Sequence, residues 1–419
     1  MLSGAWRRAR TLVRSHAAIY LAGALLSRIA GVALIPLYTR RLTPDDYGEY
    51  SIATGMLQLL PTCASLGLTA GLSRVYFGTD DRAEGERKMG AVARGMMVVV
   101  LVLLGALAVA IHLGVDSSLF GVTRRHLLLV VAAGVPAAFA MVPDLYYRAV
   151  QRPVPAVLLQ LFGFVLSTSS GLLLVLGLRR ALDGALESVV LSQAALGVFA
   201  VLFVLLRLPA RDVIGETRAA LAFSIMFVPH FVAGWLQVTA DRWVLTAYGA
   251  GAELGKYYLA VQILSPIPMV ITSWNSAEAA RYGELYREEG PEAAYRSIGR
   301  LTRQYLLAAT LPGLAILAGA PLLPLLVGPK FLGALALLPF MGLGYILDSL
   351  YYPATNYIFY VGRTGLIPIV TTVTAVLGTG LSILLLPRFG LAGLVAARVF
   401  SAALRSGAML VAARIARPR

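Results

Sequence analysis

Long apolar runs, broken by short polar stretches, dominate the chain from about Ala17 to its last residues. A helix needs about 20 apolar residues to cross the hydrocarbon of a bilayer, and these runs have that length. The limits predict about twelve spans, at 16–39, 47–77, 90–112, 122–148, 153–177, 184–207, 219–248, 254–280, 302–323, 331–361, 365–386 and 389–414. Pro36, Pro61, Pro136, Pro229, Pro268, Pro339, Pro353 and Pro368 fall inside them. Each proline leaves a carbonyl without its helical partner, so bent spans are expected. Gly67 and Gly71 form one small-xxx-small step suited to close helix approach. The expected fold class is an all-α integral membrane protein of about 12 transmembrane helices.

The pattern also repeats. YGEYSIATGMLQLLP, Tyr47 to Pro61, matches LGKYYLAVQILSPIP, Leu254 to Pro268, without gaps at a spacing of 207 residues. Gly48/Gly255, Tyr50/Tyr257, Ala53/Ala260, Leu57/Leu264 and Pro61/Pro268 are identical. These segments open the second and eighth expected spans. An even number of spans lies between them, so the halves run in the same direction. The reading is two parallel six-helix lobes, a common transporter plan with the substrate site between the halves; the alternative is chance similarity of apolar helix starts. The lobes are expected at 1–207 and 219–419, with a short charged linker at 208–218. The longest other polar break, RYGELYREEGPEAAYRSIGRLTRQ from Arg281 to Gln304, is expected to form an amphipathic surface helix whose basic residues meet lipid head groups or water.

Composition narrows the class further. Hydrophobic residues make up 58% of the chain and charged residues 14%, against about 25% charged in ordinary soluble domains. That excludes a soluble enzyme, a nucleic-acid binder and a disordered scaffold. The net charge of +15 comes from basic residues lying between apolar runs, so membrane lipids are the partners it implies, not nucleic acid. Lys and Arg in alternate connections divide as 22 on the side holding the termini and nine on the other. The bias places both termini in the cytoplasm, and the expected location is the cell (inner) membrane. The run after Arg7, Arg8, Arg10 and Arg14 is too long for a signal-peptide core and reads as an uncleaved first span.

Catalytic chemistry finds no foothold. Cys63 is the single cysteine, and His16, His112, His126 and His230 have no metal-ligand spacing. No metal, no cofactor and no enzymatic activity are expected. Gly249, Gly251 and Gly255 in YGAGAELG lack the spacing of a nucleotide-binding loop and read as a turn. With no room for an ATP-binding domain, uphill transport would draw on an ion gradient or the membrane potential.

The informative residues are charges at membrane depth, each costly unless it faces a cavity or a partner. Arg28 lies halfway along the first span, and Arg74 near the inner end of the second. Asp241 and Arg242, adjacent on the seventh span, point to different helix faces. Arg28, Arg74, Asp241 and Arg242 are the candidate substrate-binding residues of a cavity. Asp348 on span ten lies at a depth similar to that of Arg405 on span twelve, so Asp348, Arg398 and Arg405 are candidates for a structural ion pair. Asp144 with Arg148, and Glu278 with Arg281, close span ends and can snorkel. His230 beside Pro229 is either a protonation switch or a hydrogen-bonded core residue. Arginines in a cavity suit a phosphate or pyrophosphate, because guanidinium offers paired charge-assisted hydrogen bonds. Tyr47, Tyr50, Tyr248, Tyr257 and Tyr258 either stack on sugar rings or form an interfacial aromatic belt.

SRIAGVALIPLYTRRLTPDDYGEYS, Ser27 to Ser51, resembles the opening of the O-antigen type of polysaccharide flippase. TADRWVLTAYGAGAELGKYYLA, Thr239 to Ala260, resembles the start of the second lobe in the same group. That family shares a superfamily with multidrug and toxic-compound extrusion proteins and with the peptidoglycan-precursor flippase, whose two extra spans are not found here. The resemblance implies a V-shaped transporter of two six-helix lobes, with spans one, two, seven and eight lining a cationic cavity. It implies carriage of a polyprenyl-pyrophosphate-linked oligosaccharide to the outer leaflet, alongside other polysaccharide-assembly membrane proteins. Arg28 falls in the first motif, and Asp241 and Arg242 in the second. Two rivals remain. A drug or cation exporter of the same superfamily would favour acidic cavity residues, and a membrane polymerase or ligase would carry a sizeable outer loop.

Overall fold

The computed structural model describes residues 34–79, 81–115 and 117–417. Arg28 and most of the first expected span lie outside the described residues. Within them the chain is almost wholly helical. The helices are α1 (Ile35–Arg41), α2 (Pro44–Ala64), α3 (Leu68–Phe77), α4 (Arg82–Gly114), α5 (Arg124–Ala149), α6 (Pro153–Gly171), α7 (Ala181–Arg207) and α8 (Val213–Ser224). They continue with α9 (Val228–Ala247), α10 (Gly251–Leu264), α11 (Pro266–Gly319), α12 (Leu338–Ser349), α13 (Tyr351–Tyr360) and α14 (Leu366–Ala416). A two-residue antiparallel hairpin, β1 (Ser118–Leu119) with β2 (Val122–Thr123), turns the chain into α5.

Local chemistry sets the ends. At α2, the Asp46 amide donates to Thr43 Oγ1 at 3.1 Å and the Thr43 amide to Asp46 Oδ2 at 2.9 Å, a reciprocal cap of the orphan first turn. Asp81 accepts from the Ala83 amide at the start of α4, and Asp212 from the Gly215 amide at the start of α8. The bend between α2 and α3 is 51°. It falls at Leu66 and Gly67, both with left-handed backbone (φ 50° and 75°), rather than at Pro61. A side chain at Gly67 would strike the Ser224 carbonyl, so the turn has room only for glycine.

Seven helices are long and apolar enough to cross a membrane, or nine when each of two bent pairs counts as one span. The described residues therefore do not reach the expected twelve by this measure. Part of the difference is that α14, 51 residues long, covers the last two expected spans in one element. At about 1.5 Å per residue it is more than twice the length a bilayer of about 30 Å needs. It breaks at Gly390 (φ 56°, ψ −144°), at the start of the second of those spans. Large apolar side chains such as Val102, Leu113, Leu206, Leu311, Phe340 and Leu384 are exposed along the helices. Such surface suits lipid and not water.

Contacts divide the described chain into two compact units: 34–42 with 49–239, and 43–48 with 240–417. In the first unit α5 packs along α7, and α4 along α3, α5 and α8. The apolar stripe Met89, Val92, Met96, Val100 and Leu104 of α4 is fully buried there. Gly197 of α7 lies so close to Pro136 of α5 that a methyl group would overlap the ring, which is how small residues let helices approach without a hydrophobic driving force.

In the second unit α14 packs on α12 and α13, and α11 on the same pair. The segment Arg281–Gln304 departs from expectation. Its helix breaks at Gly290 (φ 84°), and its apolar side is covered by protein and not by lipid. Tyr282, Ala294, Ile298 and Leu301 are buried against Ala354, Tyr357 and Met409, because the apolar stripe of this segment finds protein to cover it.

The repeat is visible in the backbone. The two bent pairs, α2 with α3 and α10 with the start of α11, begin at Pro44 and Gly251, the same 207 residues apart. The first turn of α2 belongs to the second unit, and there the two repeat-equivalent turns cross. A Cβ at Gly48 would lie 2.5 Å from the Gly251 carbonyl oxygen, and one at Gly255 would overlap that of Pro44. Gly251 is the repeat partner of Pro44, so the contact is reciprocal, as a local two-fold axis requires.

Candidate functional site

Charges buried among helices are the natural place to look for function in a membrane protein, since each must be matched or used. The second unit holds the larger set. Asp241 on α9 accepts from Arg398 Nη1 of α14 at 3.0 Å and from the Tyr257 hydroxyl of α10 at 2.5 Å. The Arg398 guanidinium lies 4.9 Å from the Tyr345 ring of α12. On the next turns Arg405 is paired with Asp348, and its guanidinium lies 5.5 Å from the Tyr351 ring. Among the described residues, the Nε atoms of Arg398 and Arg405 are buried without a hydrogen-bond partner. Arg242 points elsewhere, as adjacent helical residues must. It is 7% exposed and lies 4.7 Å over the Tyr258 ring.

The sequence-predicted residues are therefore sorted by the fold. Asp348 and Arg405 are brought together. Arg398, grouped with them in sequence, is joined instead to Asp241. Arg74, exposed at the end of α3, sits 3.8 Å over the Phe223 ring of α8. Asp144 and Arg148 form an i, i+4 pair at 2.8 Å, joined by Gln160. Glu278 lines a cavity of about 280 Å³ with Tyr282, Arg300 and Gln304, between the two legs of α11. The side chains of Arg281 and His230 lie outside the described set. The tyrosines proposed for sugar stacking are mostly enclosed: Tyr47, Tyr257 and Tyr258 are buried, and Tyr47 packs on Tyr258 and Phe331 with ring centroids 5.4 Å apart in each case. Burial of the ring faces leaves no room for a sugar. Tyr50 stands edge-on to Tyr38, and Tyr248, half exposed, donates to the Ile383 carbonyl.

A second cluster, in the first unit, was missed by sequence reasoning. His126 stands in the first turn of α5, with Nδ1 2.6 Å from Glu49 Oε1 of α2 and Nε2 2.8 Å from Asp183 Oδ1 of α7. Glu49 also accepts from the Thr123 amide at 2.7 Å. Arg125 binds Asp183 at 3.1 Å and Glu187 at 3.5 Å, and Arg180 binds Glu187 at 2.8 Å. A signal was available: Glu49, His126 and Asp183 each sit near the start of an even-numbered span, and those starts share one side of the membrane. Among the described residues no group of three or more His, Cys, Asp or Glu side chains is arranged to hold a metal.

This helical fold, with its paired bent spans, is that of membrane transporters. It is similar to an inward-facing multidrug resistance MATE family transporter of the MOP superfamily, with 14% identity, 95% of this chain and 97% of the other covered, and a TM-score of 0.69. It is similar to the lipid II flippase MurJ in an inward closed conformation, at 13% identity over 94% and 87% of the two chains, with a TM-score of 0.71. A MOP superfamily transporter from Pyrococcus furiosus, described as having a binding pocket of reversed polarity, matches at 14% identity over 96% and 94%, with a TM-score of 0.58. No curated protein matches the sequence. The polysaccharide biosynthesis protein family model matches residues 13–278, and the chain belongs to that family.

Proposed function

We propose that the protein is a flippase that moves a polyprenyl-pyrophosphate-linked oligosaccharide across the cytoplasmic membrane for cell-surface polysaccharide assembly. The observation that carries this reading is the family match over 13–278, which takes in α2, α3, α9, α10 and the start of α11. A multi-span fold like that of a lipid II flippase supports it. The mechanism proposed is alternating access by two repeated halves, 1–207 and 219–419 joined by 208–218, with both termini in the cytoplasm and no enzymatic step. Arg74, with Arg28 and Arg242, is proposed to meet the pyrophosphate. Phe223 takes the face of the Arg74 guanidinium, which leaves its N–H edge for phosphate oxygens.

The test is restoration of surface glycan in a bacterium lacking its own lipid-linked oligosaccharide flippase, backed by reconstituted vesicles holding a pyrophosphate-linked glycolipid. Wild type should speed glycolipid exposure on the far leaflet, and Arg74→Ala should slow it about tenfold, the worth of one charge-assisted contact. The likeness to MATE transporters favours a second reading, a drug or cation exporter. Vesicles that extrude a cationic dye but leave the glycolipid unmoved would establish that reading and defeat the first.

A further inference from the structure

The geometry around His126 points to a site for a proton. A neutral imidazole has one N–H donor and one bare nitrogen. Both ring nitrogens of His126 face carboxylate oxygens, at 2.6 Å and 2.8 Å. A bare nitrogen held that close to an oxygen that only accepts would be repulsive, whereas a doubly protonated ring donates to both. The charges around it agree. Glu49 on α2 and Asp183 and Glu187 on α7 supply three carboxylates. Arg125 on α5 and Arg180 just before α7 supply two guanidinium groups, and Arg124 on α5 is exposed. An imidazolium faces two of those carboxylates, Glu49 and Asp183, directly. The His126 side chain is 10% exposed and that of Glu49 17%, so water does little to weaken the bond between them.

We propose that His126 is a proton-binding site whose imidazolium ties the first turns of α2, α5 and α7 together, and that loss of its proton breaks one of the two ties. The placement gives the tie a consequence. Glu49 is the first residue of α2 that belongs to the first unit; the five residues of α2 before it, Pro44 to Gly48, pack in the second. The imidazolium therefore fixes to the first unit the residue at which the chain enters it. Asp183 keeps Arg125 if the ring is neutral, while Glu49 keeps the uncharged bonds from Thr123. As the solution turns alkaline through the titration of the ring, the start of α2 loosens.

The experiment uses the full chain in detergent micelles with histidine labelled by nitrogen-15, beside His126→Gln. The signal present in wild type and missing from the variant should be that of a ring protonated at both nitrogens in neutral buffer. Titration to alkaline pH should convert it to the singly protonated form. Amide exchange over 46–53 and 121–127, corrected for base catalysis, should rise several-fold across the same interval, and His126→Gln should show no such step. A ring singly protonated in neutral buffer, or exchange without a step in wild type, overturns the proposal. If His126→Gln does not fold, Glu49→Gln serves. Removing one carboxylate should move the ring's titration toward acid, and an unmoved titration overturns the proposal equally.

Discussion

The two charge clusters use the same kinds of bond for different ends. In the second unit, Asp241 with Arg398 and Asp348 with Arg405 join α9 and α12 to α14, and their cations are guanidiniums that do not give up protons in water. In the first unit, Glu49, His126 and Asp183 sit at the starts of their helices, and the central cation is an imidazole that does. The chemistry of the cation accounts for the difference. A guanidinium keeps its charge at any ordinary pH, so its bond to a carboxylate is permanent. A tie made by an imidazolium can be made and unmade by a change of pH. The first arrangement suits a structural bond between α9, α10 and α14, and the second suits a switch.

The contrast is broken most forcefully at Asp241. Asp241→Ala removes the carboxylate and leaves the Arg398 guanidinium, one of whose nitrogens is already without a partner, uncompensated among helices. Breaking one side of a buried pair costs about 3–5 kcal/mol. A large fall in thermal denaturation temperature in detergent is expected. Asp241→Ala combined with Arg398→Leu should recover most of it, because the stranded charge is gone. If the double variant is as unstable as the single one, the Tyr257 bond and not the ion pair holds α9 in place.

A somewhat smaller loss is expected where the second unit relies on close approach and not charge. Gly255→Val must push the Pro44 carbonyl away, and Gly48→Val that of Gly251. Overpacking of this kind costs about 1–3 kcal/mol. The two variants should cost similar amounts, since repeat-equivalent residues make the same contact from opposite sides. An innocuous Gly48→Val beside a destabilising Gly255→Val would show that the crossing is not symmetric.

How much of this was legible beforehand follows from sequence distance. Apolar runs of membrane length report helices directly, and depth along two spans set Asp348 level with Arg405. The partner of Arg398 was not legible, because Asp241 is 157 residues away and was read for its nearness to Arg242. Composition cannot say which of several buried acids a given arginine will reach. His126 was passed over because its partners lie 77 and 57 residues away, so no local spacing marks the cluster. The fate of Arg281–Gln304 had the same cause: its apolar stripe was visible, but whether lipid or α13 and α14 would cover it depends on chain far from it.

The first unit's cluster should show graded and conditional effects. Glu49→Gln exchanges a charged hydrogen bond for a neutral one and should cost about 1–2 kcal/mol in neutral buffer. Asp183→Asn should cost less, since Asp183 is more exposed and shares Arg125 with Glu187. The tie needs an imidazolium and a carboxylate together. Its contribution is therefore present between their titrations, lost in alkali as the ring gives up its proton and lost in acid as Glu49 gains one. The penalty of Glu49→Gln should shrink in alkaline buffer. A penalty constant with pH would place this cluster with the permanent pairs of the second unit.

The smallest effect is expected at the periphery of the second unit, and it separates burial from geometry as the source of strength. Arg417 grips Glu292 with two hydrogen bonds, at 2.8 Å and 2.9 Å, and lies 5.1 Å from the Tyr295 ring. By geometry alone this is a better formed pair than Asp241 with Arg398. Yet both side chains are about half exposed, so water and salt compete for every bond they make. Glu292→Gln should leave the denaturation temperature unchanged within error, and added salt should not alter the difference from wild type. If instead it proves as damaging as Asp241→Ala, then well-formed hydrogen bonds and not exclusion from solvent set the strength of ion pairs in this molecule, and the distinction between its permanent and switchable clusters would have to be drawn on geometry.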